Sequence, residues 1–169
     1  MDLVVREARE SELDRIGELT AEVYGGESLA GPEYLKVLRD AAARWASPAT
    51  TLLVAHDDGA DEPQDLLGTV VYAAPGSPWR DLAAGDEAEF RMLATLPSAR
   101  GRGVGESLVR ACIQRASGAG APRLVLSTGQ EMLAAHRLYE RLGFIRTPER
   151  DWRPRPDMEF LLRAYALEL

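Results

Sequence analysis

The sequence predicts one α/β domain over residues 1–169, with a single mixed sheet carrying helices on both faces. Three observations point there. The chain has 169 residues, of which 46% are hydrophobic and 28% charged, enough for one real core and too few for two comfortable ones. Segments of period two and period 3.6 alternate in the order β-α-α-β-β-β-α-β-α-β-β. Hairpin-like pairs come first and a strand–helix–strand crossover follows, which mixes antiparallel with parallel pairing. No repeat, low-complexity tract or linker interrupts this order.

Taken in turn, Leu3–Arg9 reads as the first strand. Ser11 with Asp14 resembles a capping box, and the helix behind it aligns Leu13, Ile16, Leu19 and Val23 on one face. The run YGGES breaks that helix. Pro32 suits the first turn of a second helix, which turns Leu35, Leu38 and Ala42 inward and ends before Pro48. Thr50–Asp58 and Leu66–Ala74 are apolar and β-branched, and the polar run DDGADEPQD between them predicts a hairpin with a long tip. PGSPWRDLAAGD is a loop and Glu87–Leu96 a further strand. A helix is expected from about Gly103 to Ser117, with Val104, Leu108, Ala111, Cys112 and Arg115 on one side. RLVLST is a short strand. Thr128 with Glu131 suggests a second capping box, opening a helix through Leu142 that Gly143 ends in the left-handed conformation. FIRTPE and MEFLLRAYALEL supply the last strands around the loop RDWRPRP.

The totals exclude several functions. A net charge of −7 argues against non-specific nucleic-acid binding, which needs a positive field, and is compatible with a cationic small molecule or basic peptide. Cys112 is the single cysteine, so no internal disulfide or cysteine-rich zinc site can form, and His56 and His136 lack metal-ligand spacing. No basic leader with an apolar run and no membrane-length apolar stretch is present, so the default location is the cytoplasm. Lys36 is the only lysine among 20 basic residues, a skew that hints at a GC-rich bacterial genome.

One stretch carries chemistry. In LPSARGRGVGESLV, three glycines at every second position (Gly101, Gly103, Gly105) stand between a strand and a helix, flanked by Arg100 and Arg102. Glycines there weaken a helix, yet they let an anion approach the unpaired amides and partial positive charge of a helix N-terminus. The bland alternative is a tight turn with solvated arginines. A nucleotide P-loop would put lysine after the last glycine, where this chain has Glu106; a dinucleotide-binding turn would read GxGxxG near the start of the sheet. What fits is R-x-x-G-x-G, formed by Arg100, Gly103 and Gly105.

That spacing resembles the acetyl-CoA-binding loop of the GNAT superfamily of N-acetyltransferases. EAEFRMLATLPSARGRGVG is similar to the family's central strand and pyrophosphate loop, and AAHRLYERLGF (134–144) to its later helix, which ends in a tyrosine before a Gly-Phe pair. The resemblance implies a GNAT-like fold, mixed and mostly antiparallel, with acetyl-CoA as acyl donor, no metal, and an amine acceptor that is a small molecule or peptide and attacks directly in a ternary complex. It implies that the cofactor diphosphate lies on the backbone of Gly101, Arg102, Gly103, Val104, Gly105 and Glu106 with Arg100 alongside. The pantetheine arm would pair with the backbone of Leu93, Ala94 and Thr95. A homodimer is compatible with the resemblance, although no heptad seam marks one.

Period two puts Glu89, Arg91, Leu93 and Thr95 on one strand face, and two charges on an interior strand are unusual. Glu89 is either a general base, the role the resemblance implies, or half of an ion pair. Tyr139 shares a helical stripe with Met132, Ala135 and Leu142; it is either core or, as the resemblance implies, the acid that protonates the departing thiolate. Met132 stands where many relatives carry asparagine. Cys112 reads as a buried structural thiol and His136 as a surface residue, while Trp152 is either an acceptor wall or a cap on the core. The alternative to an enzyme is an acyl-CoA-binding sensor, sharing the loop and lacking the acid and base.

Overall fold

The computed structural model describes residues 2–26, 30–154 and 161–169. Its seven strands are β1 (Leu3–Glu7), β2 (Thr50–Asp57), β3 (Gly68–Ala73), β4 (Ala88–Thr95), β5 (Arg123–Gly129), β6 (Ile145–Arg146) and β7 (Leu162–Glu168). They form one sheet in the order β1-β2-β3-β4-β5-β7-β6. Only β4 and β5 run parallel; every other neighbouring pair is antiparallel. The helices are α1 (Leu13–Gly26), α2 (Pro32–Arg39), α3 (Ala41–Trp45), α4 (Val104–Gly118) and α5 (Leu133–Arg141). Among the described residues no helix is long and apolar enough to cross a membrane.

Period-two alternation in the interior strands feeds a core on each side of the sheet. Leu53, Val70, Tyr72 and Phe90 point toward α4 and α5, where Leu108, Val109, Tyr139 and Phe144 meet them. Leu52, Val54 and Val71 point the other way, onto Ile16, Leu19 and Leu38 of α1 and α2. Both faces of the central strands are therefore dry, which explains why they read as near-continuous apolar runs.

Several local expectations are corrected. The second helix is two: Asp40 leaves helical backbone (φ −88°, ψ 68°) and its carboxylate accepts the Ala43 amide at 3.0 Å, capping α3. Buried Arg44 then reaches back to the carbonyls of Val37 (2.9 Å) and Leu38 (3.0 Å) at the end of α2. The Ser11–Asp14 box does not open α1. Glu12 accepts the Arg9 amide at 2.8 Å, because the Arg6 fork (2.9 and 2.7 Å) draws its carboxylate inward. The Thr128–Glu131 box is absent too: Thr128 remains in β5 opposite Arg163, and α5 starts at Leu133. The strand expected over FIRTPE shrinks to Ile145–Arg146, since Pro148 starts a short 3-10 turn. Of the last expected strand, Met158–Phe160 lie outside the described residues. Gly143 does end α5 with φ +98°; the Phe144 amide bonds Tyr139 O at 3.0 Å and the Gly143 amide bonds Glu140 O at 3.1 Å, a complete Schellman motif.

Candidate active site

The glycine loop folds as an open cradle. After a 3-10 turn over Pro97–Ala99, Gly101 and Gly103 both take φ +80°, which only glycine adopts without strain. Gly103 is the residue that precedes α4, and the first i→i−4 bond runs from the Ser107 amide to Gly103 O at 2.9 Å. The amides of Val104, Gly105 and Glu106 thus precede the helical ladder and project from its positive end. Gly105 has ordinary helical backbone. A Cβ built on it would point between Thr95 Oγ1 and Leu138 Cδ2, each 3.6 Å away, so protein contacts alone do not demand glycine there. The Glu106 carboxylate turns aside to Arg141 (2.9 Å) and Arg110 (3.3 Å), whose hydrogen bonds hold its pKa below the usual range. Arg102 is ion-paired with Asp57 at the end of β2.

Beside this cradle the sheet opens. β4 pairs with β5 only at Ala88↔Leu124 and Glu89↔Val125, whereas β5 continues along β7 as far as Gly129. A β-bulge accompanies the parting: the register against β3 shifts between Val71↔Arg91 and Thr69↔Ala94, and Met92 holds φ +55°. The bulge overturns the expected strand face. Glu89 and Arg91 stay on the α1 side, where Met92 and Ala94 join them in the core, while Leu93 packs on the α4 side and Thr95 comes beside Gly105. Beyond the bulge the Leu96 amide bonds Leu67 O at 2.9 Å, so ladder alternation turns the Leu93 and Thr95 peptide groups away from β3, into the gap. Tyr24 of α1 reaches this edge and donates to Leu93 O at 3.2 Å.

Glu89 and Tyr139 approach from opposite faces. Glu89 is fully buried. Its Oε1 accepts three amides of the preceding loop, Asp81 (3.0 Å), Leu82 (2.8 Å) and Ala83 (2.9 Å), while buried Oε2 has no partner among the described residues. Burial pushes its pKa up, outweighing the amides and the Arg91 charge that favour the ion. Arg91 does not pair with it: its guanidinium bonds Asp81 (3.0 Å), Trp79 O (3.1 Å) and Tyr34 Oη (3.2 Å). The Tyr139 ring stands edge-on to Phe90, centroids 5.7 Å apart, with Phe144 and Tyr165 each at 6.0 Å. Burial raises its phenol pKa, and its hydroxyl has no hydrogen-bond partner among the described residues.

A glycine cradle after β4, the opened edge of that strand, and Glu89 and Tyr139 on its two faces are the surroundings in which sequence relatives become informative. The acetyltransferase (GNAT) family matches residues 13–144. The chain belongs to the GNAT acetyltransferase family. The chain is also 37% identical over 109 residues to mycothiol acetyltransferase of Mycobacterium leprae, covering 59% of this chain and 32% of that protein. It thus spans about a third of the length of the curated relative it matches. A GNAT acetyltransferase from Staphylococcus aureus has the same fold, with a TM-score of 0.75, 14% identity and 99% of each chain covered. The fold recurs in yncA of Salmonella typhimurium, solved with its cofactor acetyl-CoA, with a TM-score of 0.65, 20% identity, and 99% of this chain and 94% of that chain covered.

In this family member the remaining singled-out residues find structural places. Cys112 lies on the buried face of α4, and burial raises its thiol pKa. His136, expected at the surface, is buried: its Nε2 meets Gly129 O at 2.9 Å and its ring lies 5.9 Å from Tyr165. Trp152 donates to Ser127 Oγ at 2.9 Å and bridges Leu162. Met132, in place of the usual asparagine, takes a 3.6 Å contact from Thr128 Oγ1. Sequence reasoning missed Tyr24, Tyr34 and Asp81. Their partners lie 57 or more residues away for the two tyrosines, and no local pattern marks them.

Proposed function

We propose that the acetyltransferase moves an acetyl group from acetyl-CoA to a primary amine of a small molecule or peptide, by direct attack within a ternary complex. The observation that carries this reading is the parting of β4 from β5 after Glu89, with the bulged edge next to the bare first turn of α4. The residues fit the cofactor. The amides of Gly101 through Glu106, with Arg100 alongside, suit a diphosphate, and the peptide edge at Leu93, Ala94 and Thr95 suits an extended amide-bearing arm. Bound there, acetyl-CoA supplies an electrophilic thioester carbon and a sulfur leaving group.

The chain's own residues do the rest. Main-chain donors of the parted strand polarise the thioester carbonyl. An acceptor amine arrives as an ammonium and must lose a proton; Oε2 of Glu89 accepts it through an intervening water, because the carboxylate itself is sealed from solvent. Tyr139 keeps its proton at neutral pH, and its hydroxyl, which has no hydrogen-bond partner among the described residues, gives it to the departing sulfur. Arg102 exchanges Asp57 for the diphosphate, while Glu106 contributes its amide and keeps its carboxylate on Arg141. The relatives reported above are acetyltransferases, which weighs against a binding-only sensor.

The test is calorimetric titration with acetyl-CoA, followed by a free-thiol assay over small amines, aminoglycosides and peptides. Binding with thiol release supports the reading. Binding without release for any acceptor favours the sensor, and no binding overturns both.

A further inference from the structure

The bulge in β4 creates a problem that another part of the chain solves. Val70 of β3 lies opposite both Met92 and Leu93, so the ladder there is one partner short. Met92 is held at φ +55°, in a region long side chains rarely occupy, and such backbone persists only where its surroundings fix it. A group from α1 reaches the bulge: the Tyr24 hydroxyl donates to Leu93 O at 3.2 Å, across 69 residues of sequence. Tyr24 packs its ring against the α1-side core, so the hydroxyl is carried by a rigid element. Burial keeps it protonated, and therefore a donor, throughout the ordinary pH range.

We propose that Tyr24 is a positioning residue for acyl transfer: by holding the Leu93 carbonyl it fixes the bulged peptide edge that polarises the thioester. The inference rests on the acyl-transfer reading and adds to it a residue on the α1 side of the sheet, remote from the glycine loop and from α5. In an extended strand a residue's N–H and C=O leave on the same side, so restraining the Leu93 carbonyl limits rotation at Leu93 and with it the Leu93 amide that faces the gap. Losing the restraint lets Met92 and Leu93 relax, and donors aimed at the reacting carbonyl are worth most when they need no reorganisation. Tyr34, its neighbour on α2, donates nothing to the strand; its hydroxyl accepts from Arg91 and makes it the internal control.

The experiment compares wild type, Tyr24→Phe and Tyr34→Phe, each saturated with acetyl-CoA labelled with carbon-13 at the thioester carbonyl. Infrared difference spectroscopy reads the carbonyl stretch, calorimetry reads acetyl-CoA affinity, and thiol release gives kcat and KM. In Tyr24→Phe the bound carbonyl should move back toward its frequency in water and kcat should fall about tenfold, while the KM for acetyl-CoA stays within about twofold. Tyr34→Phe should leave the band in place. A general loss of structure would lower affinity and disturb both variants alike. A second measurement needs no variant: the carbon-13 shift of Leu93 carbonyl in wild type should remain that of a hydrogen-bonded group when acetyl-CoA is added. Release of that bond on binding would make the Tyr24 hydroxyl a stand-in for the cofactor arm and overturn the proposal. An unmoved band in Tyr24→Phe overturns the Tyr24 role while leaving acyl transfer intact. No acetyl-CoA binding by wild type overturns both.

Discussion

Gly105→Ala separates folding from cofactor binding, because its two effects have opposite sign. Gly105 sits in the first turn of α4 with ordinary helical backbone, and the added methyl meets no protein atom nearer than 3.6 Å. The free protein therefore suffers no clash, and alanine restricts the unfolded chain. The expected gain is about 0.5–1 kcal/mol, or a rise of roughly 1–4 °C in Tm for a domain of this size. The same methyl points between Thr95 and Leu138, into the mouth of the cleft, where it separates the first-turn amides from a diphosphate. Losing one amide bond to a charged oxygen costs about 1.5–3 kcal/mol, so acetyl-CoA should bind roughly 10- to 100-fold more weakly. Scanning calorimetry without ligand and isothermal titration with acetyl-CoA measure the two halves. A raised Tm with unchanged affinity refutes the cradle; a lowered Tm refutes the local geometry of α4.

Three further outcomes follow from the titratable groups. Tyr139→Phe should leave Tm unchanged within about 2 °C, since the lost hydroxyl has no protein partner among the described residues, while kcat falls; because burial raises the phenol pKa, wild type should show no alkaline limb from Tyr139 below pH 10. Glu89→Gln retains an oxygen for the Asp81, Leu82 and Ala83 amides, so thermal melts should show a folded protein, and the acid limb that wild-type turnover shows above the ordinary carboxylate range should vanish. The raised pKa also means that ionising Glu89 costs stability as pH climbs past the unfolded value of 4.5, a cost absent from the glutamine variant. Glu12→Gln should cost about 1.5–3 kcal/mol at pH 7, because Arg6 loses its ionic partner and keeps only the neutral acceptors His56 and Glu7 O. Burial alone would raise the Glu12 pKa, but the Arg6 fork and the Arg9 amide outweigh it and lower it, so its stabilisation is present above pH 4.5 and is lost as acid takes pH through the folded value. Urea unfolding from pH 7 to pH 3 should show that slope in wild type and a flatter one in the variant.

The sequence alone was enough for whatever depends on neighbours along the chain. Gly101 and Gly103 announce left-handed backbone, Gly143 the end of α5, and apolar spacing the inward faces of α1 and α4, because conformation and helical period are properties of short segments. The order of the strands and the place of the cradle before α4 follow from those, whereas the division of the second helix into α2 and α3 does not. Tertiary structure decided what depends on distant partners. Strict alternation put Leu93 and Thr95 beside Glu89 on one face, yet the bulge at Met92 inserts one residue and reverses every side chain beyond it. Glu89 was expected to be a base or half of an ion pair; its three amide partners come from a loop whose fold is set by packing, and Arg91 is diverted to Asp81. His136 reads as polar surface until Tyr165 and Gly129, from two other strands, enclose it. The Tyr24 hydroxyl reaches Leu93 only because α1 lies against β4. Local backbone preferences are written residue by residue, whereas the chemistry of this cleft arises where the sheet comes apart, and that is a property of the packed whole.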